Sequence, residues 1–315
     1  MEGWYIQHKQ DVNMGGGGNN EFQWYTKQNS YTKDGILYIR PTFTADAIGE
    51  GPMISGGTID LFGDGCVVPD FCTSSSCCRK TSNGKDIIPP IQSGLLRTKE
   101  SFSIKYGKVE VNARLPRGDF LWPAIWMLPK DNKYGSWPAS GEIDIMESRG
   151  NTDGAEGLDY FSSTLHWAPH FFADGWSQTH SVNKALTGNF NDEFHIFGLE
   201  WTDTFIKTYI DTPDNVVLNV PFNKGFYDKG AFPPYFPNPW ENGEIGAPFD
   251  QEFYLILNLA VGGNQDFDPG TNGYFANSAN SALDFWKKKD QWMPSWPNDE
   301  RRSLAVDWVK IWKRC

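Results

Sequence analysis

Three carboxylates stand close together in the hexapeptide EIDIME at residues 142–147. Its Ile and Met residues predict a β-strand, in which alternate side chains share one face. Glu142 and Asp144 would then be neighbours, whereas strict alternation would turn Glu147 to the opposite face. We predict a β-bulge near Ile145-Met146, where one extra residue returns Glu147 to the acidic face, since bulges are frequent beside active sites.

The spacing of Glu142 and Glu147 indicates chemistry on a glycosidic bond. Four strand steps separate their backbones by roughly 13 Å at ~3.3 Å per residue. Side chains that lean together could bring the carboxyl groups to about 5–6 Å, near the 5–5.5 Å of retaining glycosidases and below the 6.5–9.5 Å of inverting ones. Asp144 would lie beside both and could hold a shared proton. The alternative is a solvated acidic strand edge, because charged residues are usually exposed.

Short alternating segments between turn residues predict a mostly β protein that would position these acids. The predicted strands are residues 108–115, 195–201, 253–261 and 306–312. Residues 253–261 are almost continuously apolar, which is typical of a strand buried between two layers. Helical spacing of apolar residues occurs at 281–292, and 223–250 reads as a long ordered loop. Many short strands favour a sandwich or barrel, and we predict a single catalytic domain over residues 1–315.

The amino-acid composition limits the kinds of molecule that the chain is expected to bind. A net charge of −11 argues against nucleic acid, which needs a basic footprint, and against anionic membrane surfaces. The 14 Trp, 12 Tyr and 22 Phe are a heavy aromatic load. We expect most of these rings in the core, and a surplus on an acidic chain fits carbohydrate binding, where rings stack on the apolar faces of sugars. The sequence contains no apolar run of about 20 residues, the length that a membrane-spanning helix needs, so we predict no membrane span. We therefore expect a neutral carbohydrate partner and a monomer.

Four of the five cysteines fall within thirteen residues, at Cys66, Cys72, Cys77 and Cys78. The cluster contains no His and no Cys-x-x-Cys pair, which argues against zinc. A loop tied by disulfides is the better interpretation, and it predicts an oxidising, secreted setting. Cys72 with Cys78 is the preferred pair, Cys66 can pair with Cys77, and the partner of Cys315 stays open.

The acidic segment and its surroundings resemble glycoside hydrolase family 16, and within it the laminarinases, which are endo-β-1,3-glucanases. Several of the matching blocks resemble invertebrate members, which include digestive glucanases and glucan-recognition proteins. The matching motifs are LWPAIWMLP at 121–129, WPASGEIDIME at 137–147, NNEFQ at 19–23, SGGT at 55–58, LHW at 165–167, NLAVGG at 258–263, KDQW at 289–292 and VDWV at 306–309.

This resemblance implies an all-β fold, a β-jelly-roll sandwich of two antiparallel sheets with a concave substrate cleft. It implies that Glu142 is the nucleophile, Glu147 the general acid/base and Asp144 the assisting carboxylate, with no cofactor for catalysis. The bulged spacing is typical of laminarinases and implies β-1,3-glucan as substrate, cleaved with retention of configuration. The alternatives are a mixed-linkage β-1,3-1,4-glucanase and a non-catalytic glucan-recognition protein.

Candidate sugar-binding residues surround the acidic segment. Trp122 and Trp126 share parity around Ala124, so a strand would present both on one face. The resemblance places His166 at a cleft histidine, and Asn258 would need a partner inside an apolar strand. Core packing or an ordinary surface position is the alternative for each candidate. The full set is Trp122, Trp126, Trp137, His166, Asn19, Asn20, Arg97 and Asn258.

Two departures from the family pattern affect the expected site. Many members hold a structural Ca²⁺, for which the Gly35 carbonyl and Asp307 would be ligands here. A further ligand would come from a short strand before Trp4 that we do not find, which indicates truncation and argues against a complete Ca²⁺ site. Relatives often carry Arg where Leu95 stands, so a sugar contact there would be lost or would pass to Arg97.

Overall fold

The computed structural model describes residues 9–10, 13–14, 20–66, 77–152, 157–263 and 280–314. The strands are β1 Lys9–Gln10, β2 Gln23–Tyr25, β3 Ser30–Lys33, β4 Ile36–Ile39, β5 Thr42–Phe43, β6 Ser55–Asp60, β7 Arg79–Asn83, β8 Ile91–Ser93, β9 Leu95–Arg97, β10 Gly107–Arg114, β11 Leu121–Pro129, β12 Glu142–Ser148, β13 Tyr160–His166, β14 His180–Lys184, β15 His195–Trp201, β16 Phe205–Ile210, β17 Val216–Pro221, β18 Phe253–Val261 and β19 Leu304–Lys313.

Short helices fill the connections. The α-helices are α1 Thr44–Ile48, α2 Glu50–Ile54, α3 Phe226–Gly230, α4 Ser281–Lys287 and α5 Lys289–Trp292. The 3-10 helices are Lys27–Asn29, Phe62–Asp64, Phe171–Ala173, Trp176–Gln178, Met293–Ser295 and Glu300–Arg302.

Two seven-stranded antiparallel sheets form the body of the protein. The site sheet has the order β1-β9-β18-β11-β12-β13-β14, and the second sheet has the order β17-β16-β15-β10-β19-β4-β3. A three-stranded sheet, β2-β8-β5, and the hairpin β6-β7 complete the described part. The prediction of an antiparallel β-sandwich is confirmed.

The hydrophobic core lies between these sheets because each turns its apolar positions inward. In β10, Val109, Val111 and Ala113 are fully buried while their neighbours are partly exposed. All nine residues of β18 are buried, as expected for a central strand covered on both faces. Burying one Val or Ile side chain stabilises the fold by about 1.5–3 kcal/mol, so the packed layers fix the register of the site sheet.

The strands predicted at 108–115, 195–201, 253–261 and 306–312 correspond to β10, β15, β18 and β19. The predicted helix at 281–292 is present as α4 and α5, interrupted at Lys288. Residues 223–250 contain α3 and otherwise turns. In this loop the Trp240 indole donates a 2.7 Å hydrogen bond to the Ala139 carbonyl, which ties the loop to the segment that leads into β12.

A disulfide joins Cys66 to Cys78. Both predicted pairings, Cys72 with Cys78 and Cys66 with Cys77, are therefore wrong; Cys72 lies outside the described residues. The cause is the hairpin β6-β7, whose register places Cys78 beside Leu61, as its carbonyl accepts from the Leu61 N–H at 2.8 Å. The next turn folds Cys66 back onto Leu61 through another backbone hydrogen bond of 3.1 Å, so Cys66 meets Cys78.

Among the described residues no helix is both long enough and apolar enough to cross a membrane.

Candidate active site

The three carboxylates share one face of the site sheet. Asp144 pairs with Trp126 of β11, and Glu147 pairs with Ala124. These partners are two positions apart on β11, whereas the acids are three positions apart on β12. One residue of β12 is therefore extra, and the register shifts between Asp144 and Glu147 against both neighbouring strands. The predicted bulge is confirmed, and it returns Glu147 to the face of Glu142 and Asp144.

Buried contacts on the other face hold the bulge in place. Ile145 and Met146 are both buried in the core, so neither competes with the acids for the site face. The Ile145 carbonyl accepts a 2.7 Å hydrogen bond from the Ser163 hydroxyl of β13. That hydroxyl in turn accepts a 2.8 Å hydrogen bond from Thr208 of the second sheet. The bulge is thus supported by a buried polar chain that spans both sheets.

Strand register brings most of the predicted binding residues to the same face. His166 pairs with Glu142, and Asn258 pairs with Ala124 on one side and Leu95 on the other. Positions two apart on a strand share a face. The residues that this register collects around Glu142, Asp144 and Glu147 are Trp122, Trp126, His166, Asn258 and Arg97.

An indole N–H donates to each of the two glutamates. The Trp137 Nε1 lies 2.6 Å from Glu142 Oε2, and the Trp122 Nε1 lies 2.9 Å from Glu147 Oε1. Trp122 is buried and its ring packs beneath the Arg149 guanidinium at 4.2 Å, a cation–π contact. Trp137 is 47% exposed, so part of its ring is open to solvent. Trp137 can therefore stack on a ligand, while Trp122 supports Glu147.

Trp126 is oriented by a buried hydrogen-bond chain. Its Nε1 donates to Asn258 Oδ1 at 2.7 Å, and Asn258 Nδ2 donates to the Tyr25 hydroxyl at 3.0 Å. Gln23 Nε2 donates to the same hydroxyl at 3.1 Å. The partner that Asn258 needs is thus supplied by protein groups, and the chain fixes the ring of Trp126 on the site face.

His166 lies between two carboxylates. Its Nδ1 contacts Asp174 Oδ2 at 2.5 Å, and its Nε2 lies 3.2 Å from Asp144 Oδ2. Burial lowers the pKa of His166, but the contacts with Asp144 and Asp174 outweigh this and raise that pKa well above its usual value. The ring therefore carries a positive charge near neutral pH, beside acids whose charges would otherwise repel one another.

The acidic cluster retains a proton more tightly than separate carboxyls would. One polar atom from each of Glu142, Asp144 and His166 lies within 4.8 Å of the others. Burial raises the pKa of the Glu142 carboxyl well above its usual range, and the charges of Asp144 and Glu147 raise it further. Charged His166 and the Trp137 N–H act in the opposite direction. Because interacting carboxyls titrate as a group, the cluster can supply both a proton donor and an ionised nucleophile.

The other predicted binding residues differ in their surroundings. Arg97 donates a 2.7 Å hydrogen bond to Glu100, so part of its guanidinium is already engaged. Asn20 is exposed and adopts the left-handed backbone conformation, with φ of 53°. Asn19 lies outside the described residues.

The surroundings of Asp307 do not match a cation site made of side chains. Asp307 Oδ2 accepts a 3.1 Å hydrogen bond from Asn112 Nδ2. Within the described ranges, Asp307 belongs to no cluster of three or more His, Cys, Asp or Glu side chains close enough to share an ion. We derive no role for Ca²⁺ in the chemistry of the site.

The sequence did not predict two residues that lie near the acids, Asp174 and Trp176. Asp174 reaches His166 from the loop after β13, and the exposed Trp176 ring lies 5.3 Å from His180 of β14. His180 contacts Thr164 at 2.9 Å, and Thr164 pairs with Asp144. The only signal in the sequence was a polar Asp-Gly-Trp turn, which does not show which strand the loop folds onto.

An antiparallel sandwich with three carboxylates and flanking indoles on one sheet face defines a jelly-roll protein of the glycoside hydrolase type. The chain belongs to glycosyl hydrolases family 16, whose model matches residues 77–234.

Individual proteins with known names are similar over most of the chain. A "Beta-1,3-glucan-binding protein" of Penaeus monodon is 44% identical, and the alignment covers 96% of this chain and 85% of that protein. The "Glucan endo-1,3-beta-glucosidase A1" of Niallia circulans is 33% identical over 84% of this chain but only 31% of its own length. The laminarinase from Rhodothermus marinus matches in structure with a TM-score of 0.58 and 25% identity, over 98% of this chain and 90% of that one.

Proposed function

We propose that this chain is an endo-acting hydrolase that cleaves β-1,3-glucan with retention of configuration, through a covalent glycosyl-enzyme. The observation that carries the proposal is the placement of Glu142, Asp144 and Glu147 on one sheet face by the bulge in β12. The two glutamates are each held by an indole N–H, so both carboxyl groups have defined orientations.

The reaction uses these two glutamates in turn. Glu147, protonated, donates its proton to the leaving glycosidic oxygen while ionised Glu142 attacks the anomeric carbon. The bond to the leaving sugar breaks as an ester to Glu142 forms. Glu147, now ionised, takes a proton from water, and that water attacks the anomeric carbon and releases Glu142. Two inversions leave the product with the β configuration of the substrate.

Asp144 and His166 prepare the nucleophile. Asp144 is buried beside Glu142, and its charge raises the pKa of Glu142. The positive charge of His166 and the hydrogen bond from Trp137 oppose this effect and favour the ionised form that the nucleophile needs. The partly exposed ring of Trp137 both donates to Glu142 and faces solvent, where a sugar ring can stack on it.

The choice of β-1,3-glucan is supported by three observations. The Penaeus monodon relative is named for β-1,3-glucan binding, and the Niallia circulans relative is named as an endo-1,3-β-glucosidase. The bulged spacing of the acids is typical of the laminarinase branch that the sequence resembles. The net charge of −11 suits a neutral polymer.

A second candidate function is glucan binding without catalysis. The names of several relatives favour it, including those from Penaeus monodon and Galleria mellonella. The chain spans 57% of the length of the Galleria protein. The intact carboxylate set favours the enzyme, since a recognition surface has no need for three acids in mutual repulsion. A mixed-linkage β-1,3-1,4-glucanase is the remaining alternative for the substrate.

The deciding experiment compares wild-type protein with Glu142→Ala on laminarin and on lichenan. We expect the wild type to release reducing sugar from laminarin faster than from lichenan, and Glu142→Ala to bind laminarin without cleaving it. If both proteins bind laminarin and neither cleaves either glucan, the chain is a recognition protein. Activity confined to lichenan would assign it to mixed-linkage glucan.

We further propose that the chain acts as a secreted, monomeric single domain on extracellular glucan, with no nucleic-acid or membrane partner. The Cys66–Cys78 disulfide supports an oxidising compartment.

A further inference from the structure

The carboxylate of Asp174 is held rigidly by the loop that follows β13. Its Oδ1 accepts hydrogen bonds from the backbone N–H of Trp167 at 3.1 Å and of Trp176 at 3.2 Å. Its Oδ2 is thereby turned toward His166 Nδ1, 2.5 Å away. The Asp174 side chain is only 12% exposed, so water competes little for these contacts.

The contact with Asp174 determines how His166 faces the acids. Because Nδ1 meets a carboxylate oxygen, this nitrogen carries the proton, and the ring cannot flip without losing the hydrogen bond. The opposite nitrogen, Nε2, is then directed at Asp144 Oδ2, 3.2 Å away. Asp144 Oδ2 is buried and makes no aligned hydrogen bond within the described residues, so its charge is balanced by the nearby imidazolium.

The ring of His166 also reaches the nucleophile through Trp137. The two rings lie 5.8 Å apart, and the Trp137 indole donates to Glu142. A displacement of His166 would therefore disturb the charge beside Asp144 and the donor on Glu142 together.

We propose that Asp174 is a positioning residue for the reaction: it locks the imidazole of His166 so that Nε2 faces Asp144 beside the nucleophile Glu142. This inference rests on the proposed function, and it adds a residue of the loop after β13 to the catalytic machinery. Asp174 acts through its contact with His166.

The charged and titratable groups around His166 come from three elements. Glu142, Asp144 and Glu147 belong to β12, Asp174 to the loop after β13, and His180 to β14. The contacts with Asp144 and Asp174 both favour the protonated ring. Removing the charge of Asp174 takes away one of the anions that favour the protonated ring and leaves Asp144 and Glu142, so the pKa of His166 falls.

The test is Asp174→Asn, which keeps the size of the side chain and an oxygen for the two backbone N–H groups. We expect kcat on laminarin to fall about 10- to 100-fold, the range for loss of a charged hydrogen bond, with KM changed less than about threefold. The pKa of His166, measured by NMR of its ring, should fall by at least about one unit. In a His166→Gln background the same substitution should have almost no further effect on kcat, because the imidazole through which Asp174 acts is absent.

The second sheet offers a matched control. Asp211 contacts His195 Nδ1 at 3.0 Å and accepts from the backbone N–H of Ile196, away from the acids. Asp211→Asn should leave kcat and the pKa of His166 unchanged. If Asp174→Asn does not fold, Asp174→Ser provides the same loss of charge with an oxygen that can still accept from the backbone.

An unchanged pKa of His166 in the folded Asp174 variant would overturn the proposal, as would an effect on kcat that persists in the His166→Gln background. If wild-type protein cleaves no glucan, the proposed function fails. The NMR measurement still tests whether Asp174 holds His166, so the two failures are distinguishable.

Discussion

Replacement of Trp137 by Phe should shift the acidic limb of the pH profile of glucan hydrolysis upward. The indole N–H lies 2.6 Å from Glu142 Oε2 and stabilises the ionised form of this carboxyl. Phe keeps an aromatic ring but has no donor, so the pKa of Glu142, already raised by burial, rises further. The nucleophile must be ionised, and its pKa governs the acidic limb of kcat/KM.

The size of the shift follows from the hydrogen bond. A bond to a charged group contributes about 1.5–3 kcal/mol, and half-exposed Trp137 belongs at the low end because water can replace part of the donor. About 1.4 kcal/mol corresponds to one pKa unit. The acidic limb should therefore move up by about one pH unit, and kcat/KM below that limb should fall about tenfold.

The assay is reducing-sugar release from laminarin at low substrate concentration, across a pH series. Trp176→Phe is the matched control, because its similarly exposed indole packs against His180 of β14. This variant should keep the wild-type limb even if it weakens glucan binding. An acidic limb of Trp137→Phe that stays in place or moves down would refute the role given to this hydrogen bond.

Three further predictions concern the acids and their support. Glu147→Ala should react slowly with an activated laminarioligosaccharide, and azide should rescue it with formation of a β-glycosyl azide, seen by NMR. Glu142→Gln should raise unfolding stability at pH 7 by about 1 kcal/mol or more in thermal or denaturant melts. In the wild type the pKa of Glu142 is raised on folding, so the ionised carboxyl destabilises the fold above pH ~4.5. The stability gained by Glu142→Gln should therefore vanish below that pH. Tyr25→Phe should cost about 1–3 kcal/mol of unfolding free energy, because the buried Asn258 loses its acceptor.

The arrangement of the three carboxylates could be predicted from the sequence, because it depends on the local geometry of a single strand. The period of two along a strand predicted that Glu147 needs a bulge to join Asp144, and the register of β11 and β12 shows that bulge. The same period of two predicted that Trp122 and Trp126 share one face of a strand, and β11 carries both at positions of equal parity. The apolar run of residues 253–261 predicted β18 because a strand buried on both faces has no polar face to show.

Other parts of the site depend on contacts between distant segments. Tyr25 reaches Asn258 across most of the chain, and Asp174 reaches His166 only because its loop folds back on β13. The pairing of Cys66 with Cys78 depends on the register of the β6-β7 hairpin, which the spacing of the cysteines does not contain. Periodicity describes a strand, whereas these contacts are set by which loops and strands pack together.

The central claim is that Glu142 and Glu147 form a retaining glycosidase centre on the face shaped by the bulge. The most direct measurement is ¹H NMR of laminarihexaose during the first minutes of hydrolysis, before mutarotation mixes the anomers. We predict that wild-type protein forms new reducing ends as the β anomer, and that Glu142→Ala forms none. New reducing ends in the α configuration, or no cleavage by the wild type, would contradict the account.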